Sequence, residues 1–173
     1  MDNIYIKSLL HTKITVDFKN VDNNIYNKLQ KILKKKYEGI CLDEGFIKPD
    51  SINILSYSCG ELNANYVTYD VVYECLIANA VEGMKLSCIV KTITKIGIRA
   101  ELNDIISPFI IFIARDHSYN NNLFSKINEN DIINVKVIGQ RYELNNKFIS
   151  VIAELIDKND INEISKKAIK SKK

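Results

Sequence analysis

The sequence lacks the features that mark membrane proteins, secreted proteins and small zinc domains. No apolar run approaches the ~20 residues that a transmembrane helix requires. The amino terminus has neither the basic nor the apolar segment of a signal peptide. The four cysteines form no CxxC pair, which argues against a zinc ribbon or a thioredoxin-like site. We therefore expect an intracellular protein with reduced structural thiols at Cys41, Cys59, Cys75 and Cys88.

Catalytic motifs are also missing. Neither the phosphate-binding GxxxxGK[ST] nor the dinucleotide-binding GxGxxG occurs, and His11 and His117 are far apart in the sequence. The pair Asp116-His117, followed by Ser118, is the one tempting combination. However, adjacent loop residues do not supply a separately positioned nucleophile, base and orienting group. We interpret this pair as a surface turn or an RNA contact, and we expect no catalytic activity, cofactor or metal.

Positive charge is concentrated at one end of the chain. The formal net charge is +3, and residues 158–173 contain six lysines against Asp160 and Glu163. The rest of the chain is therefore nearly neutral, unlike the uniformly basic surface of a duplex-binding protein. Arginine is scarce, and all three arginines lie in the second half: Arg99, Arg115 and Arg141.

The first half of the chain is predicted to be a small α+β unit. Alternation over residues 4–17 indicates a strand, and Asp22 is a plausible N-cap for a helix that continues to about Lys36. We interpret the lysines near its end as a solvated helix terminus, where cations favour the helix dipole. Further strands are expected at Ile40–Leu42, Phe46–Lys48, Ile52–Tyr57 and Tyr66–Ala78, with a polar break at Gly60–Asn65. This pattern predicts one helix packed on a twisted antiparallel sheet.

The second half predicts five short strands. The segment Met84–Gly97 indicates a long strand, a two-residue reversal and the start of a second strand. The later strands are expected at Phe109–Ala114, Ile132–Val137 and Phe148–Leu155, with a long polar connection before the fourth and a turn at Glu143–Asn146. This plan is typical of an all-β, five-stranded OB-fold barrel, a class that binds single-stranded nucleic acid or oligosaccharide.

These patterns divide the chain into residues 1–80, residues 81–157 and a basic tail at 158–173. The junction near Asn79–Gly83 contains no Gly/Ser/Pro linker, so we expect the two folded parts to adjoin closely.

Candidate binding residues follow from alternation within the barrel strands. Arg99 should lie on the face opposite Ile98 and Ala100, and Gly97 suits a bulge that tightens the barrel. An exposed Phe112 beside Arg115 would combine base stacking with phosphate binding. The alternative, which the spacing also allows, buries Phe112 in the core and leaves Arg115 in a surface ion pair.

Several short motifs, each only weakly specific, follow one another along most of the chain. They are Glu38-Gly39-Ile40-Cys41, Gly45-Phe46-Ile47, Tyr66–Tyr73, Glu82-Gly83, Thr94–Ile98, Phe112–Arg115 and Val137–Arg141. In this order the chain resembles the stalk subunit of multisubunit DNA-directed RNA polymerases, called subunit seven in eukaryotes and E-prime in archaea. The stretch from Phe112 to Glu143 is most similar to the versions encoded by large DNA viruses, which fits the abundance of Ile, Asn and Lys.

The resemblance implies a non-catalytic role in transcription. In that family the amino-terminal tip docks on the polymerase core near the clamp, and the barrel projects toward the RNA exit path. The docking loop would comprise Gly39, Cys41, Gly45 and Phe46. The RNA face would comprise Arg99, Phe112, Arg115 and Arg141, with Lys91 and Lys136 as further cations. Barrels of this class often carry aromatics where this chain has Ile96 and Arg99, so we expect mainly electrostatic RNA binding.

The implied partners are the large polymerase subunits, a helical stalk partner subunit and single-stranded RNA, with no membrane. The implied location is the nucleus or, for a viral protein, the cytoplasmic viral factory and the virion. Two other hypotheses remain. A translation-initiation-related RNA-binding protein or kinase-substrate decoy would need only the barrel. An exosome-type or nuclease accessory protein would need acidic metal ligands there, and none is evident.

Overall fold

The structure is a computed structural model that describes residues 4–103, 106–115, 124 and 127–156. The chain forms two compact units. Residues 4–79 together with 143–147 form the first, here called the amino-terminal unit, and residues 80–142 together with 148–156 belong to the second, the barrel unit. The Asp116-His117 pair and the basic tail lie outside the described residues, so both remain predictions.

The amino-terminal unit contains one α-helix and a six-stranded sheet. Its elements are β1 (Tyr5–Asp17), α1 (Ile25–Tyr37), β2 (Cys41–Leu42), β3 (Gly45–Ile47), β4 (Asn53–Tyr57), β5 (Glu61–Asn63) and β6 (Tyr66–Ala78). β1 pairs antiparallel with β6 along its whole length, from Tyr5 opposite Ala78 to Asp17 opposite Tyr66. β3, β4 and β5 also pair antiparallel with β6, and β2 pairs with β3. The predicted α+β class is confirmed.

Alternation along β6 creates the core of this unit. Every second side chain from Val67 to Ile77 is buried on one face, together with Leu29 and Leu33 of α1. Because these leucines are four residues apart, they lie on one side of the helix and pack together on the sheet. The Tyr37 and Tyr73 rings stack with centroids 6.2 Å apart. The opposite sides of α1 and of the sheet are therefore left for solvent or partners.

Two local predictions in this unit are wrong. Asp22 is not the N-cap, because α1 begins at Ile25 and follows Asn24. The Asp22 carboxylate instead accepts the Asn24 N–H at 3.1 Å and pairs with the Lys28 ammonium at 2.6 Å. The predicted polar break at Gly60–Asn65 contains the short strand β5, whose three residues are all exposed and so give no burial periodicity.

Among the described residues of the barrel unit, five strands close in the order β7-β8-β9-β11-β10. They are β7 (Lys85–Ile93), β8 (Gly97–Leu102), β9 (Phe109–Ala114), β10 (Ile132–Arg141) and β11 (Ile149–Leu155). β11 runs parallel to β9, and every other neighbouring pair is antiparallel. The predicted OB-type barrel is confirmed, although β10 extends to Arg141 and the β7–β8 reversal has three residues instead of two.

The predicted bulge at Gly97 is wrong. Gly97 pairs regularly with Ala114, whereas the register shifts occur at Lys91 in β7 and at Ile138 in β10. A Cβ atom at position 97 would lie 2.3 Å from the Ile113 carbonyl oxygen. Glycine is therefore required here because the backbones of β8 and β9 approach closely.

Candidate nucleic-acid interface

An exposed phenylalanine lies at the centre of the outer barrel face. Phe112 in β9 is 45% exposed, so the alternative that buries it in the core is wrong. Its direct neighbours across the ladder are Arg99 on β8 and Ile152 on β11. Directly opposed residues share a face, with Cβ atoms about 4.5–5.5 Å apart in an antiparallel pair. Phe112 thus lies between Arg99 and an exposed aliphatic residue in the strand register.

Two more exposed residues extend this row across β7. The register shift leaves Lys91 and Thr92 together opposite Arg99. Both are exposed, as expected when two residues of a bulged strand face one residue of its partner. The outer strip, defined as Lys91, Thr92, Arg99, Phe112 and Ile152, therefore combines two cations with one aromatic ring.

The charge of the outer strip is partly compensated. Arg99 Nη2 lies 3.1 Å from Glu101 Oε1, and the two side chains are 47% and 29% exposed. An exposed ion pair of this kind contributes only about 0–1 kcal/mol, so it can exchange for a phosphate at little cost. The guanidinium has five N–H donors in total, and this contact uses one of them. Arg99 can thus bind an anion without first leaving Glu101.

Arg141 lies on the same outer face, at the end of β10. It is opposite Ser150 on β11, two residues before Ile152. Since β11 lies between β10 and β9, Arg141 on β10 is two strands away from Phe112 on β9. It therefore extends the cationic surface but does not touch the central ring.

Arg115 and Lys136 are not brought to this site. Arg115 lies beyond the end of β9, about 10 Å of extended chain from Phe112, and its guanidinium carbon is 5.0 Å from the centroid of the Phe124 ring. Lys136 forms an ion pair with Glu154 at 3.1 Å. The predicted pairing of Phe112 with Arg115 is therefore replaced by Phe112 with Arg99.

The four candidate docking residues mostly shape their own segment. Cys41 and Phe46 are 0% and 1% exposed, so neither offers a surface to a partner in this conformation. Gly45 has φ +133°, and a Cβ there would lie 2.6 Å from the Ala78 carbonyl oxygen. The Gly39 N–H donates to the Ile47 carbonyl at 3.0 Å. The tight turn is thus explained, while docking through this loop remains a prediction.

Burial also controls the chemistry of this segment's thiol. It raises the pKa of Cys41 to about 11, so the thiol stays protonated near neutral pH. The Cys41 backbone pairs with the turn that belongs to the same unit: its N–H donates to the Asn146 carbonyl at 2.7 Å, and its carbonyl accepts from the Asn145 N–H at 2.9 Å. Cys41 is therefore a structural residue.

Exposed apolar residues that sequence analysis missed lie at the other end of this sheet. Phe18, Leu62 and Tyr66 are 58%, 67% and 51% exposed, and we call them the apolar sheet end. Leu62 is opposite Val67, whereas the Phe18 N–H donates to the Asn65 carbonyl at 2.8 Å. Both residues thus flank the β5–β6 turn. The sequence signal for this surface was that Phe18 and Leu62 are large apolar residues in two mostly polar connections.

Metal and membrane sites find no support in the part of the chain that the structure describes. Within it, no group of three His, Cys, Asp or Glu side chains is arranged to hold a metal ion. None of the helical segments there is both long and apolar enough to span a membrane.

The fold therefore defines an OB-barrel protein with an additional α+β unit, and with an exposed aromatic ring opposite Arg99 on the outer face of the barrel. No protein-family profile matches the chain. The chain is similar to a protein of Acanthamoeba polyphaga mimivirus that carries the provisional name DNA-directed RNA polymerase subunit L376. The two sequences are 28% identical over 167 residues, covering 90% of this chain and 83% of that protein.

Proposed function

We propose that this chain is a non-catalytic subunit of a multisubunit DNA-directed RNA polymerase of a large DNA virus. The observation that carries the proposal is the similarity to the mimivirus protein, which extends over 90% of the chain and so includes both units. In this role the amino-terminal unit binds the large polymerase subunits near the clamp, beside a helical stalk partner. The barrel unit binds nascent single-stranded RNA as it leaves the enzyme.

The outer strip supports the RNA-binding part of this proposal. OB barrels bind oligonucleotides on the face of their second and third strands, which are β8 and β9 here. Arg99 and Phe112 lie directly opposite each other on those two strands. Stacking of one base on an aromatic ring contributes about 1–3 kcal/mol with little sequence preference. The strip therefore fits the backbone and base faces of a single strand.

RNA binding is tested by separating stacking from charge. Phe112→Ala should weaken binding of a single-stranded RNA by about 1–3 kcal/mol without changing the salt dependence. Arg99→Ala should instead reduce the slope of log K against log salt by about 0.7, the value for one phosphate contact. The matched controls are Ile106→Ala, an apolar residue that is 51% exposed in the connection between β8 and β9, and Lys136→Ala, whose ammonium is paired with Glu154.

Because Phe112 is about half exposed, its replacement should leave the barrel folded, with only a small decrease in the thermal midpoint. If the controls weaken RNA binding as much as the strip variants do, the outer strip is not the RNA site.

The apolar sheet end supports the docking part of the proposal. Exposed aromatic and aliphatic residues at one end of a sheet are typical of a protein interface, because their burial supplies most of the binding energy. Leu62 and Leu9 provide a matched pair, since they are 67% and 65% exposed in the same unit. Leu62→Ser combined with Phe18→Ser should abolish recovery of the polymerase with this chain. Leu9→Ser should leave recovery of the polymerase intact. If Leu9→Ser abolishes recovery and the double variant does not, the apolar sheet end is not the docking surface.

A further inference from the structure

Charge is strongly segregated within the amino-terminal unit. Residues 4–79 with 143–147 contain ten lysines and ten carboxylates, so the unit is neutral in total. Residues 18–37, which include α1, hold six of these lysines and a single carboxylate, Asp22, for a net charge of +5. The rest of the unit consequently carries a net charge of −5. A neutral unit with one strongly basic helix has a local anion-binding surface that its total charge conceals.

Four of these six lysines, Lys19, Lys31, Lys35 and Lys36, have no carboxylate partner among the described residues. Lys28 pairs with Asp22 at 2.6 Å and Lys34 with Asp50 at 3.3 Å. Among the described residues, Lys31 and Lys35 have no carboxylate partner, and both are exposed. They are four residues apart on α1, so their side chains lie one above the other on the same helix face, about 6 Å apart along the axis.

The structure of the helix itself does not account for this arrangement. Cations in the last turn are favoured by the helix dipole, but the effect fades within that turn, and Lys31 lies six residues before the end of α1. Like charges at i and i+4 destabilise a helix by about 0.2–0.5 kcal/mol. The core-facing residues Leu29 and Leu33 are on the other side. The helix dipole therefore accounts for Lys35, which lies in the last turn, but not for Lys31, and neither side chain contributes to packing.

The chemistry of this face favours phosphate over protein. Asn27, Lys31 and Lys35 form a single row at i, i+4 and i+8, and all three are exposed. Protein interfaces are depleted in lysine and are anchored by aromatic or aliphatic residues, which this row lacks. An ammonium on a flexible stem, by contrast, binds phosphate oxygens as a point charge without demanding a fixed geometry.

We propose that the Lys31–Lys35 face of α1 binds the phosphodiester backbone of a nucleic acid, as a contact additional to the outer strip of the barrel. The proposed contact goes beyond RNA binding by the barrel and does not depend on it. Binding is electrostatic and independent of sequence, since lysine reads no base edge here and the Asn27 amide already donates to Asn24 Oδ1 at 3.0 Å. RNA and duplex DNA share this backbone, so separate probes are needed to distinguish them.

The test uses the full chain and two double variants of equal charge. Lys31→Gln with Lys35→Gln removes the proposed contact. Lys7→Gln with Lys13→Gln removes the same net charge from β1, where the two ammonium groups pair with Glu74 at 2.7 Å and Asp70 at 3.7 Å. Glutamine retains high helix propensity, so circular dichroism and the thermal midpoint should be unchanged for α1.

The measured quantity is affinity as a function of salt for a single-stranded RNA of about 20 nucleotides and, separately, a DNA duplex of about 20 base pairs. Loss of two phosphate contacts should lower the log–log slope by about 1.4 for the single strand or about 1.8 for the duplex. At about 0.1 M salt this corresponds to a roughly 25-fold weaker affinity for the single strand, with less than a twofold change for the control pair. The probe that shows the loss identifies which nucleic acid is bound.

Three results would overturn the proposal. Equal losses in both double variants would indicate a general charge effect, and unchanged affinities for both probes would show that α1 is only solvated. If the Lys31 and Lys35 substitutions weaken binding of poly-glutamate but not of nucleic acid, the face binds an acidic protein instead. Phe112→Ala provides an independent control, because failure of that variant to weaken RNA binding would exclude the barrel site and leave the α1 contact standing.

Discussion

The close approach of β8 to β9 predicts that two glycine-to-alanine changes in the same barrel have effects of opposite sign. At Gly97 the new methyl group would lie 2.3 Å from the Ile113 carbonyl oxygen and 3.3 Å from the Ala114 Cα. These are backbone atoms of a paired strand, so the strands must separate by roughly 1 Å to reach ordinary contact distances. At Gly139 no atom lies within 4 Å of the position that the new methyl group would occupy, and neither residue requires a positive φ.

The magnitudes follow from two opposing contributions. Overpacking costs about 1–3 kcal/mol, whereas Gly→Ala at an unstrained position stabilises by about 0.4–1 kcal/mol because it restricts the unfolded chain. We therefore expect Gly97→Ala to destabilise the barrel by about 1–2 kcal/mol and Gly139→Ala to stabilise it by up to about 1 kcal/mol.

Urea unfolding followed by far-ultraviolet circular dichroism measures both changes, and with m of about 2 kcal/mol/M the midpoints should move in opposite directions by roughly 0.5 M. Hydrogen exchange locates the effect, since the Arg115 N–H that donates to the Ile96 carbonyl at 3.1 Å should exchange faster only in Gly97→Ala. Equal stabilities of the two variants would refute the close-approach explanation.

Two further predictions concern ionisable groups. Cys59 is exposed, whereas burial raises the pKa of the other three thiols to about 11 or 12. Iodoacetamide at a pH of about 8 should therefore add one label to the folded chain and four labels in denaturant. More than one rapid label on the folded chain would contradict this burial. Hydrogen bonds from Lys7 and Asn53 lower the pKa of Glu74 below 4.5, so its stabilising contribution is present above pH 4.5 and is lost as the pH falls through the lowered pKa. Lys7→Ala should raise that pKa toward 4.5 in an NMR titration, and an unchanged value would exclude Lys7 as the main cause.

The barrel could be predicted from sequence because its strands alternate between buried and exposed positions outside the two bulges. Ile98 and Ala100 are buried while Arg99 between them is exposed, as a period of two requires. The same periodicity left the side of Phe112 undecided, because an aromatic residue is compatible with either face of a strand. Its exposure depends on the strand register, which short-range pattern does not determine.

Long-range pairing explains the remaining differences. The bulge that places Lys91 opposite Arg99 arises because β7 has one more residue than β8 over the paired segment. The sequence of either strand by itself does not reveal this difference. Arg115 lies over Phe124, a contact that no local spacing predicts. The burial of Phe46 was hidden for a related reason, because β3 is only three residues long and all three are buried, so the segment has no alternation.

Affinity purification tests whether this chain assembles with a polymerase. The tagged full chain would be recovered from the cells in which it is naturally made and treated with nuclease, which removes partners tethered only by nucleic acid. We expect the large subunits of a DNA-directed RNA polymerase to be recovered in amounts comparable to the chain itself. Recovery of the chain without those subunits, or with translation factors in their place, would contradict this expectation.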